Sequence, residues 1–156
     1  MSGNQAASQV GAQDSVLLLS RKFKAPRERV WRAFTEPSAL REWWGPEGFT
    51  LPKAEVDLRP GGRFAFQMRT NEGDFHNLSG TYKEIKAPER LVLSWVWAEG
   101  AMAGVETEVT LEFRTRGDGT ELSVRHERFR TRDERDNHDG GWNSSLDRLA
   151  KVLAKR

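Results

Sequence analysis

Residues 131–155 read TRDERDNHDGGWNSSLDRLAKVLAK, and the fold turns on this stretch. Trp142, Leu146, Leu149 and Leu153 recur at i, i+4, i+7 and i+11, with Val152 beside them, which is the apolar stripe of one long amphipathic helix. No other segment is long enough to cover a whole sheet. The second half carries the packing residues Leu149, Val152 and Leu153, whereas the first half carries Gly140, Gly141, Ser144 and Ser145 around Trp142. A glycine inside a helix costs roughly 1 kcal/mol relative to alanine, so two in succession need a reason. Two reasons are open: backbone pressed close to a sheet, or side chains omitted to leave space facing an aromatic wall.

Upstream the period is mostly two. Residues 15–24 (SVLLLSRKFK) predict a first strand. Pro26 then opens a helix with Val30, Trp31 and Phe34 on one face, and Pro37 opens a second one, PSALREWW, in which Leu40 faces Trp43 and Trp44. Gly45-Pro46 ends it, because proline disfavours helical geometry in the residue before it. Strands are predicted at 49–58, 63–69, 76–85, 90–97, 105–116 and 121–127. The clearest is RFAFQMR, with Phe64, Phe66 and Met68 on one face and Arg63, Ala65, Gln67 and Arg69 on the other. Short turns join them, including Arg59-Pro60-Gly61-Gly62, a type II signature, and Asp118-Gly119, a hairpin signal. The pattern is α+β: a curved antiparallel sheet of six or seven strands around the C-terminal helix, with two short helices after the first strand.

A chain of 156 residues is most simply one domain, large enough to bury about two-thirds of its unfolded surface. Residues 1–14 are small and polar and read as a flexible leader, leaving 15–156 as the domain. There is no cysteine, which excludes disulfides and thiolate chemistry and is compatible with a cytoplasmic protein. The longest aliphatic run, residues 16–19, is far short of the ~20 residues of a membrane span. Net charge is +2, and the basic run 125–135 is interleaved with Glu and Asp, so neither nucleic acid nor membrane insertion is expected. Six tryptophans against one tyrosine is the unusual figure.

Five segments, LREWWGPEGF, EVDLRPGGRFAFQMR, GTYKEI with APERLVLSW, GTELSVRHE and GGWNSSLDRLAKVL, in this order and spacing, resemble bacterial proteins similar to the Hsp90-ATPase-activator C-terminal domain. These belong to the START-like, or Bet v 1-like, helix-grip superfamily, and the resemblance runs from Ser15 to the C-terminus. It implies the fold and a cavity between sheet and helix. Superfamily members look like ligand-binding modules, lipid carriers, polyketide cyclases or co-chaperone parts, so function has to come from the site. Eukaryotic activators carry a separate N-terminal domain; here a polar leader precedes the resemblance, and Hsp90 activation is not implied.

The leading expectation is a cavity that binds a small hydrophobic or aromatic molecule. Phe64, Phe66, Met68, Leu78, Trp95 and Trp97 are its expected sheet-side wall, and Gly141, Trp142, Ser145 and Leu146 its helix side. Trp43 and Trp44 are placed at the mouth, Trp43 as anchor and Trp44 as rim, with His126 and Tyr82 as the orienting polar groups. Two alternatives stand beside it. His126 is the candidate acid–base residue if the protein is a cyclase-like or hydrolase-like enzyme, and an exposed Trp43–Trp44 patch would mark a stress- or chaperone-related interaction module. His126, His138 and a carboxylate have no metal-ligand spacing, so no metal or cofactor is expected. The expected partner is the small apolar molecule; a homodimer is the other association considered.

Overall fold

A computed structural model describes residues 14–155. The chain runs β1 (Val16–Phe23), α1 (Arg27–Thr35), α2 (Pro37–Leu40), β2 (Thr50–Val56), β3 (Arg63–Arg69), β4 (Phe75–Lys86), β5 (Arg90–Trp97), β6 (Glu106–Arg116), β7 (Gly119–Glu127) and α3 (Arg132–Ala154). The seven strands form one antiparallel sheet in the order β1-β7-β6-β5-β4-β3-β2, so β1 closes against the last strand and every other pairing is a local hairpin. Of the expected leader, only Asp14 lies within the described residues; its carboxylate accepts hydrogen bonds from Arg132 and Arg135 at the start of α3.

Strand alternation sets which face is covered. Phe64, Phe66 and Met68 of β3, Val109, Leu111 and Phe113 of β6, and Leu122, Val124 and His126 of β7 are all buried. The α3 stripe of Trp142, Leu146, Leu149 and Leu153 packs with them in one core. The opposite face carries ion pairs such as Lys83–Glu108 at 2.9 Å and Arg90–Glu84 at 3.3 Å, each worth about 0–1 kcal/mol in solvent. In central β5 both faces are covered, because Val92 and Ser94, which point away from the α3 side, are buried as well. Ser94 Oγ accepts from the Thr81 amide at 2.8 Å where the β4–β5 register shifts between Tyr82 and Glu84. At that irregularity Gly80 is obligatory: a Cβ there would stand 2.0 Å from the Ser94 carbonyl oxygen and 2.7 Å from the Phe64 ring.

The second helix is shorter than the sequence predicts. It stops at Leu40 and continues as turns to Trp43. Glu42 and Trp43 donate to carbonyls three residues back, at 3.1 and 3.2 Å, which is the tightened winding of a terminating helix. Gly45 then takes φ 99°, and the chain leaves the helix direction. Helix α3 starts on Thr131, whose hydroxyl accepts from the Glu134 amide at 3.1 Å. Arg21 of β1 holds its flank through Asp147 at 2.7 Å, and Arg29 of α1 donates to the Leu153 carbonyl near its C-terminus at 2.8 Å.

Candidate functional site

The two halves of α3 meet the sheet differently. Leu146, Leu149 and Leu153 are fully packed, but around Gly141 the helix stands off and leaves a cavity of about 220 Å3. Trp44, Gly45 and Pro46 wall one side, Met68 of β3 and Trp95 and Trp97 of β5 the sheet side, and Asn137, His138, Gly141, Trp142 and Ser145 the helix side. A Cβ on Gly141 would meet only the Pro46 ring, at 4.0 Å, and one on Gly140 would meet nothing within 4 Å. Close backbone approach is therefore not why Gly141 is a glycine. Its missing side chain is part of the cavity; nothing in the structure requires glycine at 140.

The adjacent tryptophans separate in role. Trp43 is fully buried, donates its indole N–H to the Ala33 carbonyl at 2.9 Å and packs edge-on to Phe34 at 4.8 Å. It anchors the helix pair. Trp44 turns the other way and meets Phe66, Trp95 and Trp142 with ring centroids 5.1, 5.8 and 6.0 Å apart. It walls the cavity. Because both rings are buried, they form no exposed aromatic patch, which removes the feature on which an interaction module was to rest. The loop carrying them is clasped to α3 by Arg148, whose Nη1 donates to the carbonyls of Gly45, Pro46 and Phe49 at 2.9, 3.1 and 3.1 Å. Ser144 adds to this by accepting from the Glu47 amide at 2.8 Å.

Two tryptophan–histidine bonds cross the seam between α3 and the sheet. An indole N–H can only donate, so each fixes a histidine tautomer. Trp142 Nε1 donates to His126 Nδ1 at 3.1 Å, leaving the proton on Nε2, which donates to Thr107 Oγ1 at 2.8 Å. Thr107 in turn donates to the Trp95 carbonyl at 3.3 Å. Trp97 Nε1 donates to His138 Nε2 at 3.0 Å, so the His138 proton sits on Nδ1 and goes to the Glu134 carbonyl at 2.8 Å. Both imidazoles are held neutral. Burial drives the His126 pKa well below its ordinary value, and proximity to His138 adds to this. Burial also lowers His138, against the opposing pull of Glu134.

Of the residues expected at the site, Trp44, Met68, Trp95, Trp97, Gly141, Trp142 and Ser145 surround the cavity. Phe64, Phe66 and Tyr82 instead border a void of only about 20 Å3 deeper in the core, where side chains from both faces have closed up. Leu78 and Leu146 are buried core residues outside both linings. His126 is fully buried and does not reach the cavity wall; both its nitrogens are consumed by Trp142 and Thr107, so neither is presented to a bound molecule. Tyr82 is buried too, and desolvation pushes its phenol far above the usual range. Among the described residues, no three His, Asp or Glu side chains gather as a metal site. Sequence reasoning missed Asn137, Gly45, Pro46 and Arg148, and weighed His138 only as a metal ligand although it lines the cavity. Asn137 had a signal: 137, 141 and 145 share a helical face by i, i+4 spacing, beside 138 and 142. Arg148 had none, since its partners are backbone carbonyls some hundred residues away.

A buried donor in the wall between cavity and core stays unpaired: the Trp95 indole N–H has no hydrogen-bond partner among the described residues. No helix among those residues is long and apolar enough to cross a membrane.

Comparison with known proteins places this architecture. A search of curated protein sequences finds no match. Among solved structures, a protein of Chromobacterium violaceum is similar at 31% identity over 89% of this chain and 96% of its own, with a TM-score of 0.80. The AHSA1 protein of Silicibacter pomeroyi is similar at 28% identity, 89% and 97% coverage and a TM-score of 0.80. A Nitrosomonas europaea protein follows at 26% identity, 92% and 96% coverage and 0.78. The family described as Activator of Hsp90 ATPase homolog 1-like protein matches residues 24–154, nearly the whole described chain. The chain, with its seven-stranded sheet gripping a C-terminal helix, belongs to this family.

Proposed function

We propose that the protein binds a small hydrophobic or aromatic molecule, non-covalently, in the cavity between β3, β5 and the first half of α3. One observation carries this: an aromatic-walled space of about 220 Å3 held open where α3 has a glycine that its backbone contacts do not demand. An apolar space that side chains leave unfilled keeps its aromatic lining facing solvent instead of packed, and filling Gly141 with alanine would also improve helix propensity. Retaining the gap therefore costs stability on two counts, as expected of a binding site. Family membership supports the same reading, since the fold is one suited to enclosing ligands. The first half of α3, the Arg148-clasped loop and the two tryptophan–histidine bonds supply a preformed wall, so binding orders little that is not already ordered. We place the protein in the cytoplasm, with which a cysteine-free chain is compatible.

Four of the six tryptophans line the cavity, so intrinsic fluorescence reports its occupancy. Screening a chemically diverse set of apolar compounds is expected to give saturable quenching with some members. Gly141→Leu, which fills the space, is expected to abolish the response while leaving the fold intact. No saturable response from the wild type across the set would overturn the proposal.

A further inference from the structure

If the cavity binds a small apolar molecule, the reading on which this inference rests, its size and lining restrict the guest more narrowly than apolarity does. A protein cavity of about 150 Å3 with apolar walls takes up benzene. This one, at about 220 Å3, is about one and a half times as large, which is the step from one ring to two fused rings. It falls short of the roughly 300 Å3 at which drug-sized pockets begin. Flat aromatic faces from Trp44, Trp95, Trp97 and Trp142 favour a planar guest, which can stack offset or edge-on.

Charge is excluded by the lining. Among the described residues, no Lys, Arg, Asp or Glu side chain borders the cavity. The one titratable wall residue among them, His138, has both ring nitrogens committed, Nε2 to the Trp97 indole and Nδ1 to the Glu134 carbonyl. A carboxylate or ammonium carried inside would leave water and find no counter-charge, a cost of several kcal/mol. At the solvent end, the exposed Asn137 amide makes no hydrogen bond to another described side chain, so it is available for one polar substituent.

We infer that the ligand is an uncharged, planar aromatic molecule of about two fused rings, bearing at most a hydroxyl or carbonyl group, which lies at the mouth beside Asn137.

Calorimetric titration at neutral pH with benzene, naphthalene, 2-naphthol, 2-naphthoate, 2-naphthylmethylammonium and dibenzofuran tests this. Naphthalene and 2-naphthol are expected to bind at least about tenfold more tightly than benzene, the anion, the cation or the three-ring compound. The 2-naphthol advantage over naphthalene, a few-fold, is expected to vanish in Asn137→Ala. Comparable or tighter binding of 2-naphthoate, 2-naphthylmethylammonium or dibenzofuran would overturn the inference and leave the binding function standing. No binding of any of the six, together with a silent fluorescence screen, would sink both. Gly141→Leu locates the site: retained naphthalene binding there places the ligand elsewhere and overturns the inference. Gly141→Ala, which adds one methyl with no neighbour nearer than 4.0 Å, repeats that test in a variant expected to fold, with affinity reduced a few-fold.

Discussion

His138 and Trp97 show how one proton can hold a wall in place. With Nε2 free to accept, the imidazole receives the indole N–H; once protonated, it has only donors and the bond to Trp97 cannot form. The same holds for His126 and Trp142. The groups facing the pair are each other, with ring centroids 5.1 Å apart, the neutral rings of Trp95, Trp97, Trp142 and Phe129, Thr107, and Glu134, whose carboxylate is already held by Arg130 at 2.6 Å. Both folded-state pKa values lie below the ordinary histidine value of 6.5, so the unfolded chain takes up protons first as pH falls. Stability is then fully present above about 6.5 and declines as pH drops through that value toward the depressed folded ones, by up to about 1.4 kcal/mol per pH unit for each histidine. Urea unfolding at pH 7.5 and 5.5 is expected to show the loss, and His138→Gln, which keeps an acceptor for Trp97 without a titrating proton, is expected to reduce it. Equal pH dependence in wild type and variant would contradict this role for the seam.

The elements show where sequence reasoning succeeds and where it stops. Strand parity in RFAFQMR, VETEVTLEFRTR and ELSVRHE predicted the covered residues because a pleat turns alternate side chains to opposite faces and one face alone is buried. The same logic overextended at the site. Parity says Phe64, Phe66 and Tyr82 face α3, but not whether facing residues meet; here they meet, leaving about 20 Å3, and the open space lies further along, at Met68, Trp95 and Trp97. Helix α2 ended early because the chain tightens into three-residue turns from Ala39 onward before Gly45 turns it away at φ 99°, and periodicity alone does not tell such turns from a continuing helix. Gly141 was legible as a question and the structure answers it. Gly141→Ala is expected to raise stability by roughly 0.5–1 kcal/mol through helix propensity, measurable as a higher melting temperature; a lower one would show that the gap is a packing requirement after all. Arg148 was not legible, since guanidinium-to-carbonyl contacts leave no periodic trace. Arg148→Met is expected to cost roughly 1–3 kcal/mol and to speed hydrogen exchange at the amides of Gly45, Glu47, Gly48 and Phe49, with the sheet amides unchanged.

At the scale of the molecule, helix and sheet form a wedge closed at the α3 C-terminal half, by Leu146, Leu149 and Leu153, and open at the other, by Gly141. The closed end supplies stability, each fully buried leucine contributing about 1.5–3 kcal/mol. The open end is held in shape by polar bonds, and its shape is what a ligand would meet. This open end, and not the inner core, is where a small aromatic molecule is expected to bind. The six indole N–H resonances, recorded by proton–nitrogen NMR while naphthalene is added, distinguish the two places residue by residue. Occupancy of the cavity predicts shifts for Trp44, Trp95, Trp97 and Trp142, with Trp43, bonded to Ala33, and Trp31, packed on Phe113, unmoved. Shifts confined to Trp31 and Trp43, or none at saturating naphthalene, would contradict it.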